Sequence, residues 1–271
     1  MNPPIDVIIL AASKYADSSE TSEEYAAANA ASYAKELIRG FTMDDLTNSI
    51  ASIRGTETIV PPLMEPKVPP FEAHQFPRHG NAILLVIPTA NESKGRLIRK
   101  AFEGQKLMGV AVHSMIVPFD SGVGEQPYNE AGVLGAHSRI SNVLRHLDAP
   151  EYQETFLSKG IGTLIVASIE SFIQLDNVDR PTDYGVVVIH NATVGKTAAC
   201  LSWGATVPPA YVNRARRFGF EGNPNHGRVT VGQILAAHVP GLDKANWQAV
   251  LAGRSRYDLL SDAISHLTIP W

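Results

Sequence analysis

Two kinds of hydrophobic spacing alternate along the chain, continuous apolar runs of strand length and stripes at helical period, and together they predict an α/β fold. Residues 82–87, Ala-Ile-Leu-Leu-Val-Ile, read as an apolar strand, residues 94–102 as a helix and residues 109–117 as a second strand. The clearest helix begins at about Ala131, with Val133, Ala136, Ile140, Val143, Leu144 and Leu147 on one stripe. Residues 162–169, 185–189 and 196–203 are β-rich and joined by polar turns, and Tyr257, Leu260, Ile264 and Leu267 return to helical spacing. Towards the N-terminus, residues 6–10 read as a short buried strand. The Ala-rich stretch 23–38 and residues 43–53 read as helices. Between Gly55 and Gly80 the prolines 61, 62, 66, 69, 70 and 77 interrupt any periodicity, which marks an irregular connection. A boundary near Asn81 divides an N-terminal extension, residues 1–80, from a main domain, residues 81–271, on which the extension is expected to pack.

Composition narrows the function classes. With 44% hydrophobic residues the 271-residue chain can bury a core, and 18% charged residues argues against disorder and coiled coil. Lys and Arg number 23 against 27 Asp and Glu, a net charge of −4, so no basic surplus points to nucleic acid or to a membrane surface. No apolar run approaches the ~20 residues of a membrane span. The single cysteine, Cys200, cannot form an internal disulfide, and no Cys-x-x-Cys pair offers a zinc site. These features predict a soluble, cytoplasmic protein, without membrane insertion or nucleic-acid partner. A homodimer is admitted, although no residue pattern demands it.

Common catalytic signatures are missing. Gly195-Lys196-Thr197 ends like a Walker A loop, but His190 stands where that loop needs its first glycine; no Gly-x-Ser-x-Gly elbow or His-Glu-x-x-His helix occurs. The nine histidines are scattered without ligand spacing. Two loops are more informative. Thr89-Ala90-Asn91-Glu92-Ser93-Lys94 lies between a strand and a helix start, where hydroxyl, amide and ammonium groups either bind an anion beside free N–H groups or simply cap the helix. Ser121-Gly122-Val123-Gly124-Glu125-Gln126-Pro127 follows the second strand and offers polar groups at its tip, with Tyr128 next, before a helix carrying Gly135-Ala136-His137-Ser138-Arg139.

Taken in order, Thr-x-Asn-x-x-Lys, Ser-Gly-Val-x-Glu-Gln-Pro and Gly-Ala-x-x-Arg resemble the inosine/xanthosine triphosphate pyrophosphatase superfamily. Residues 131–136, Ala-Gly-Val-Leu-Gly-Ala, and residues 166–173, Val-Ala-Ser-Ile-Glu-Ser-Phe-Ile, are most similar to its proline-rich coiled-coil-containing protein branch. Residues 230–235, Trp247 and residues 253–256 are similar to that branch's C-terminal part. The resemblance covers residues 81–271 and implies an elongated mixed sheet with flanking helices and a central cleft, plus the N-terminal extension.

It also implies where chemistry has been lost. Active members hold magnesium with a Glu-Thr pair ahead of the Gly-Ala helix and with the Asp of a Glu-x-Gly-x-Asp strand. Here Ala131 and Gly132 occupy the pair's positions with Glu130 displaced by one, Gln174 replaces the Asp, and Phe172 replaces the glycine. Glutamine is neither a general base nor a charged magnesium ligand. Three functions follow as expectations. The leading one is a cofactor-free and metal-free isomerisation or cyclisation, of cycloaddition type, of a small apolar substrate, with Lys94, Gln126 and Gln174 as catalytic donors. Thr89, Asn91, Tyr128, His137, Arg139, Glu170 and Phe172 would line the pocket. The alternatives are a purine nucleoside triphosphate pyrophosphatase using Glu125, Glu130 or Glu170 in altered roles, and a non-catalytic trafficking or scaffold domain.

Overall fold

The computed structural model describes residues 55, 57–62, 65–74, 76, 78–105, 107–219, 222–239 and 241–271. The strand expected at 6–10, the helices expected at 23–38 and 43–53, and the packing of the first 54 residues lie outside the described residues.

A seven-stranded mixed sheet organises the chain. Its strands are β1 (Ile59–Val60), β2 (Ala82–Ile87), β3 (Val112–Ile116), β4 (Ile161–Gln174), β5 (Thr182–Asn191), β6 (Lys196–Leu201) and β7 (Gly204–Thr206). They lie in the order β1-β7-β5-β4-β2-β3, with β6 also paired to β5. β2 runs parallel to both β3 and β4, while β4, β5, β6 and β7 form the antiparallel part. Among the described residues the helices are α1 (Glu92–Gln105), α2 (Ala131–Leu147), α3 (Pro150–Ser158), α4 (Pro209–Gly219), α5 (Val231–His238), α6 (Gln248–Leu251) and α7 (Arg256–His266).

Strand alternation sends each run of apolar residues to two cores. Leu84, Val86, Leu164, Val166, Phe172 and Tyr184 face α2, which presents the expected stripe of Ala136, Ile140, Val143, Leu144 and Leu147. Ile83, Leu85, Ile87, Ile165, Ile169 and Val187 face α1 and α7 through Ile98, Phe102, Leu260 and Ile264. Covering both faces explains why β2 and β5 are apolar without alternation. A third core joins β7 to α4, α5 and α6 around Tyr128, Val212, Leu235 and Trp247.

The differences from the sequence-based expectation are mostly extensions. The strand expected at 162–169 continues to Gln174, and the one expected at 185–189 already begins at Thr182. The segment 196–203 divides into β6 and β7, because Ser202 turns inward to accept a hydrogen bond from Gly185 N at 2.8 Å. The proline-rich connection contains β1, which pairs with β7, so the sheet itself extends across the boundary set at residue 81. Glu57 secures this junction: it is 5% exposed, its Oε1 lies 2.7 Å from Arg180 Nη2, and its Oε2 accepts from Thr206 Oγ1 at 2.5 Å.

Candidate functional site

The parallel strands β2 and β4 end differently, and the difference builds the site. β2 stops at Ile87, whereas β4 runs on to Gln174, so residues 169–174 have no β2 partner beyond Val166. Space beside the carboxyl ends of strands is where α/β sheets admit polar side chains from the following loops. Lys94 enters from the first turn of α1 and Arg139 from α2, and both meet Glu170 of β4.

Glu170 is the centre of this cluster. Lys94 Nζ donates to Ile169 O at 3.0 Å and lies 3.4 Å from Glu170 Oε1; Arg139 Nε lies 3.0 Å from Oε2, and Ser171 N donates to Oε1 at 3.1 Å. The Arg139 guanidinium also donates to the carbonyls of Pro88 and Phe119, which fixes the two strand-exit loops to α2. Gly135 permits the approach, since a Cβ there would stand 2.6 Å from Val123 and 3.3 Å from Glu170 Cγ. Burial alone would raise the Glu170 carboxyl, but Lys94 and Arg139 hold it below the usual range, as an anion. Burial pulls the Lys94 ammonium down, aided by Arg256 and Arg139 and opposed by Glu170.

On the opposite face of the same strand pair is a second polar group that sequence reasoning missed. Asp183 of β5 accepts from Gln248 Nε2 at 2.6 Å, and Arg256 Nη2 stands 4.0 Å from its other oxygen. Burial raises the Asp183 carboxyl, outweighing Arg256, Gln248 and Lys94. Ser171 Oγ, on that same face by strand alternation, and Gln248 Oε1 are buried without a hydrogen-bond partner among the described residues. One signal was available: Asp183 is a charged residue directly preceding the apolar run of β5, just outside the strand as read. Gln248 and Arg256 come from distant helices and carried none.

The other expected site residues are placed as follows. Asn91 Oδ1 accepts from Lys94 N at 3.0 Å and so caps α1, and Thr89 Oγ1 accepts from Asn91 N at 3.1 Å and holds the capping residue. Asn91→Ala is accordingly expected to cost about 1 kcal/mol, read as a lower urea midpoint. Gln126 is buried and faces away from the cluster: its Oε1 accepts from Val231 N at 3.0 Å and its Nε2 donates to Pro127 O at 3.4 Å. Gln174 Nε2 donates to Asp176 O at 2.7 Å, within its own turn. Tyr128 is a core residue beneath Arg216, its hydroxyl pushed up to about 12 by burial. His137 stacks on Phe71 at 4.5 Å, a contact made away from Glu170. Phe172 is 3% exposed and packs on Gly132 and Tyr184, so it fills the core instead of lining a pocket. Glu125 and Glu130 are exposed. The structure therefore unites Lys94, Arg139 and Glu170 and leaves Gln126 and Gln174 to the backbone.

No known family model matches the chain. The crystal structure of protein VC0702 from Vibrio cholerae is similar in fold, with 15% identity over 68% of this chain and 92% of that one and a TM-score of 0.48. Among the described residues, no three His, Cys, Asp or Glu side chains are grouped to hold a metal ion, and no helix is long and apolar enough to cross a membrane.

Proposed function

We propose that the protein is a small-molecule enzyme whose working group is Lys94, on a scaffold resembling the inosine/xanthosine triphosphate pyrophosphatase superfamily. The observation that carries this is the half-buried Lys94 ammonium, lowered in pKa and fixed between Ile169 O and Glu170. Perturbed, converging titratable groups at strand ends are what acid–base sites require. An isomerisation or cyclisation adds and removes no atoms, so a group that lends a proton to a substrate oxygen and recovers it suffices. Arg139 and Glu170 orient the ammonium; the Arg256–Asp183 pair and Ser171, whose hydroxyl has no hydrogen-bond partner among the described residues, lie on the other face of β4 and β5. Because Phe172 is withdrawn into the core, the substrate suited to this cluster carries a carbonyl or carboxylate beside its apolar frame.

Triphosphate hydrolysis has less support. Glu170 is already matched by two cations, Gln174 is bound to its own turn, and Ala131 and Gly132 have no ligand atoms. The use of Gln126 and Gln174 as backbone struts favours a second reading, a non-catalytic interaction domain.

A cell extract incubated with the full chain and with Lys94→Met, compared by liquid chromatography coupled to mass spectrometry, separates these readings. The expected result is one compound converted to an isomer of equal mass by the wild type and not by Lys94→Met. Pyrophosphate release from inosine or xanthosine triphosphate with magnesium is expected to stay below roughly 1 per second. Faster release would restore the pyrophosphatase. Identical extracts together with a stably bound protein partner would leave the interaction domain.

A further inference from the structure

Away from the Glu170 cluster, two histidines distant in sequence meet on one phenylalanine ring, and a third lines the same cavity. Residues 65–74, which lead from β1 towards β2, pass beside α2 and the β5–β6 hairpin. Phe71 inserts its ring between His137 of α2, 4.5 Å away and stacked, and His190 of β5, 4.3 Å away and tilted. His137 Nε2 lies 3.3 Å from Pro70 O, and His74 Nδ1 lies 2.5 Å from Asp148 Oδ2. A cavity of about 550 Å³ opens beside the segment, lined among others by Phe71, Glu72, His74, His190 and Thr197.

The three imidazoles are not equivalent. His74 has a carboxylate partner. His190 is 5% exposed, its Nδ1 lies 2.9 Å from Thr197 Oγ1, and among the described residues no carboxylate is hydrogen-bonded to it. The titratable groups that face it are His137 from α2 and His74 from the segment itself, with the exposed Glu72 at the cavity. Lys196 is paired with Asn191 and projects from the other face of the sheet. A proton placed on His190 therefore has two other imidazoles as its nearest titratable neighbours, in a buried position beneath an aromatic ring.

We propose that residues 65–74 form an acid-released strap, in which protonation of His190 beneath Phe71 detaches the segment and uncovers the sheet face between α2 and β6. Burial, His137 and His74 lower the His190 imidazole from 6.5 to about 4 while the strap is closed. A histidine depressed in the closed state favours closure fully above its free value, and loses that contribution as pH falls from 6.5 towards 4. Between pH 7.5 and pH 5 the open fraction is expected to rise on the order of 30-fold.

Glutamyl endopeptidase acting on the full chain reads this, because Glu65 and Glu72 lie in the strap, where cleavage needs the backbone drawn off the sheet, and Glu170 lies in the core. Cleavage after Glu72, normalised to a free peptide of residues 65–74 at each pH, is expected to rise about 30-fold from pH 7.5 to pH 5, with Glu170 uncut. His190→Gln is expected to remove the rise. A flat wild-type rate, or the same rise in both proteins, overturns the strap. Should His190→Gln release the strap already at pH 7.5, an NMR titration of the wild type decides. An imidazole titrating below about 5, with the Phe71 ring signals moving at the same midpoint, supports the proposal; titration near 6.5 or an unmoved Phe71 ends it.

Discussion

Glu170→Ala is expected to destabilise the protein by about 3–5 kcal/mol, because it leaves two cations facing each other in a largely buried space. The side chains involved are 10% exposed for Glu170, 16% for Lys94 and 20% for Arg139, so water reaches them too little to replace the lost carboxylate. Arg139 keeps its carbonyl partners at Pro88 and Phe119 and so remains in place as an unmatched charge. Adding Lys94→Met removes one of the two cations. The double variant should therefore recover part of the loss, with a coupling of about 0.5–3 kcal/mol. Urea unfolding measures both, as a fall in midpoint at unchanged slope. A cost below about 1 kcal/mol for Glu170→Ala would mean that the ion pairs are solvated, and Lys94 would then lose the fixed environment on which its proposed acid–base role depends.

That dependence also explains what could be read in advance. The sheet was legible wherever a strand is buried on both faces: residues 82–87 need no partner to announce themselves, and the stripe from Val133 to Leu147 is a helix by period alone. The ends of strands were not. Glu170 to Gln174 and Thr182 to Asp183 are polar or mixed, and they become strand because each pairs with the other across the antiparallel turn. Two-residue β1 is strand only through its pairing with three-residue β7, which in turn pairs with β5.

The site divides along the same line. Lys94, Arg139 and Glu170 each belong to a motif that could be singled out, and the loop chemistry around Lys94 was seen to permit capping, which Asn91 performs, held by Thr89. Gln126 carries the same polar groups as a ligand-binding residue, yet the N-terminus of α5 needs an acceptor for Val231 N, and that long-range demand takes Oε1. The histidine cluster shows the limit from the other side. His74, His137 and His190 have no meaningful spacing along the chain and come near one another only because the proline-rich segment crosses beside α2.

Phe172→Ala is the second large effect, about 3–5 kcal/mol, and it probes how the core between α2 and β4 is packed. The ring lies among Ala136, Val186 and Tyr184 in the core on the α2 side, and it lies so close to α2 that a Cβ on Gly132 would come within 2.3 Å of its Cδ1. Glycine at 132 and phenylalanine at 172 are therefore one steric unit. Gly132→Ala alone should cost about 1–3 kcal/mol by overpacking. In the presence of Phe172→Ala the same methyl group enters space the ring has left, and its cost should vanish or reverse. Simple additivity of the two changes in thermal or urea unfolding would show that α2 moves away from the ring. With the helix held in place, Phe172→Ala instead leaves a void one residue pair from the Glu170 carboxylate. The void is enclosed between α2 and the sheet, so the expected result is lost stability with the Lys94–Glu170 ion pair still in place.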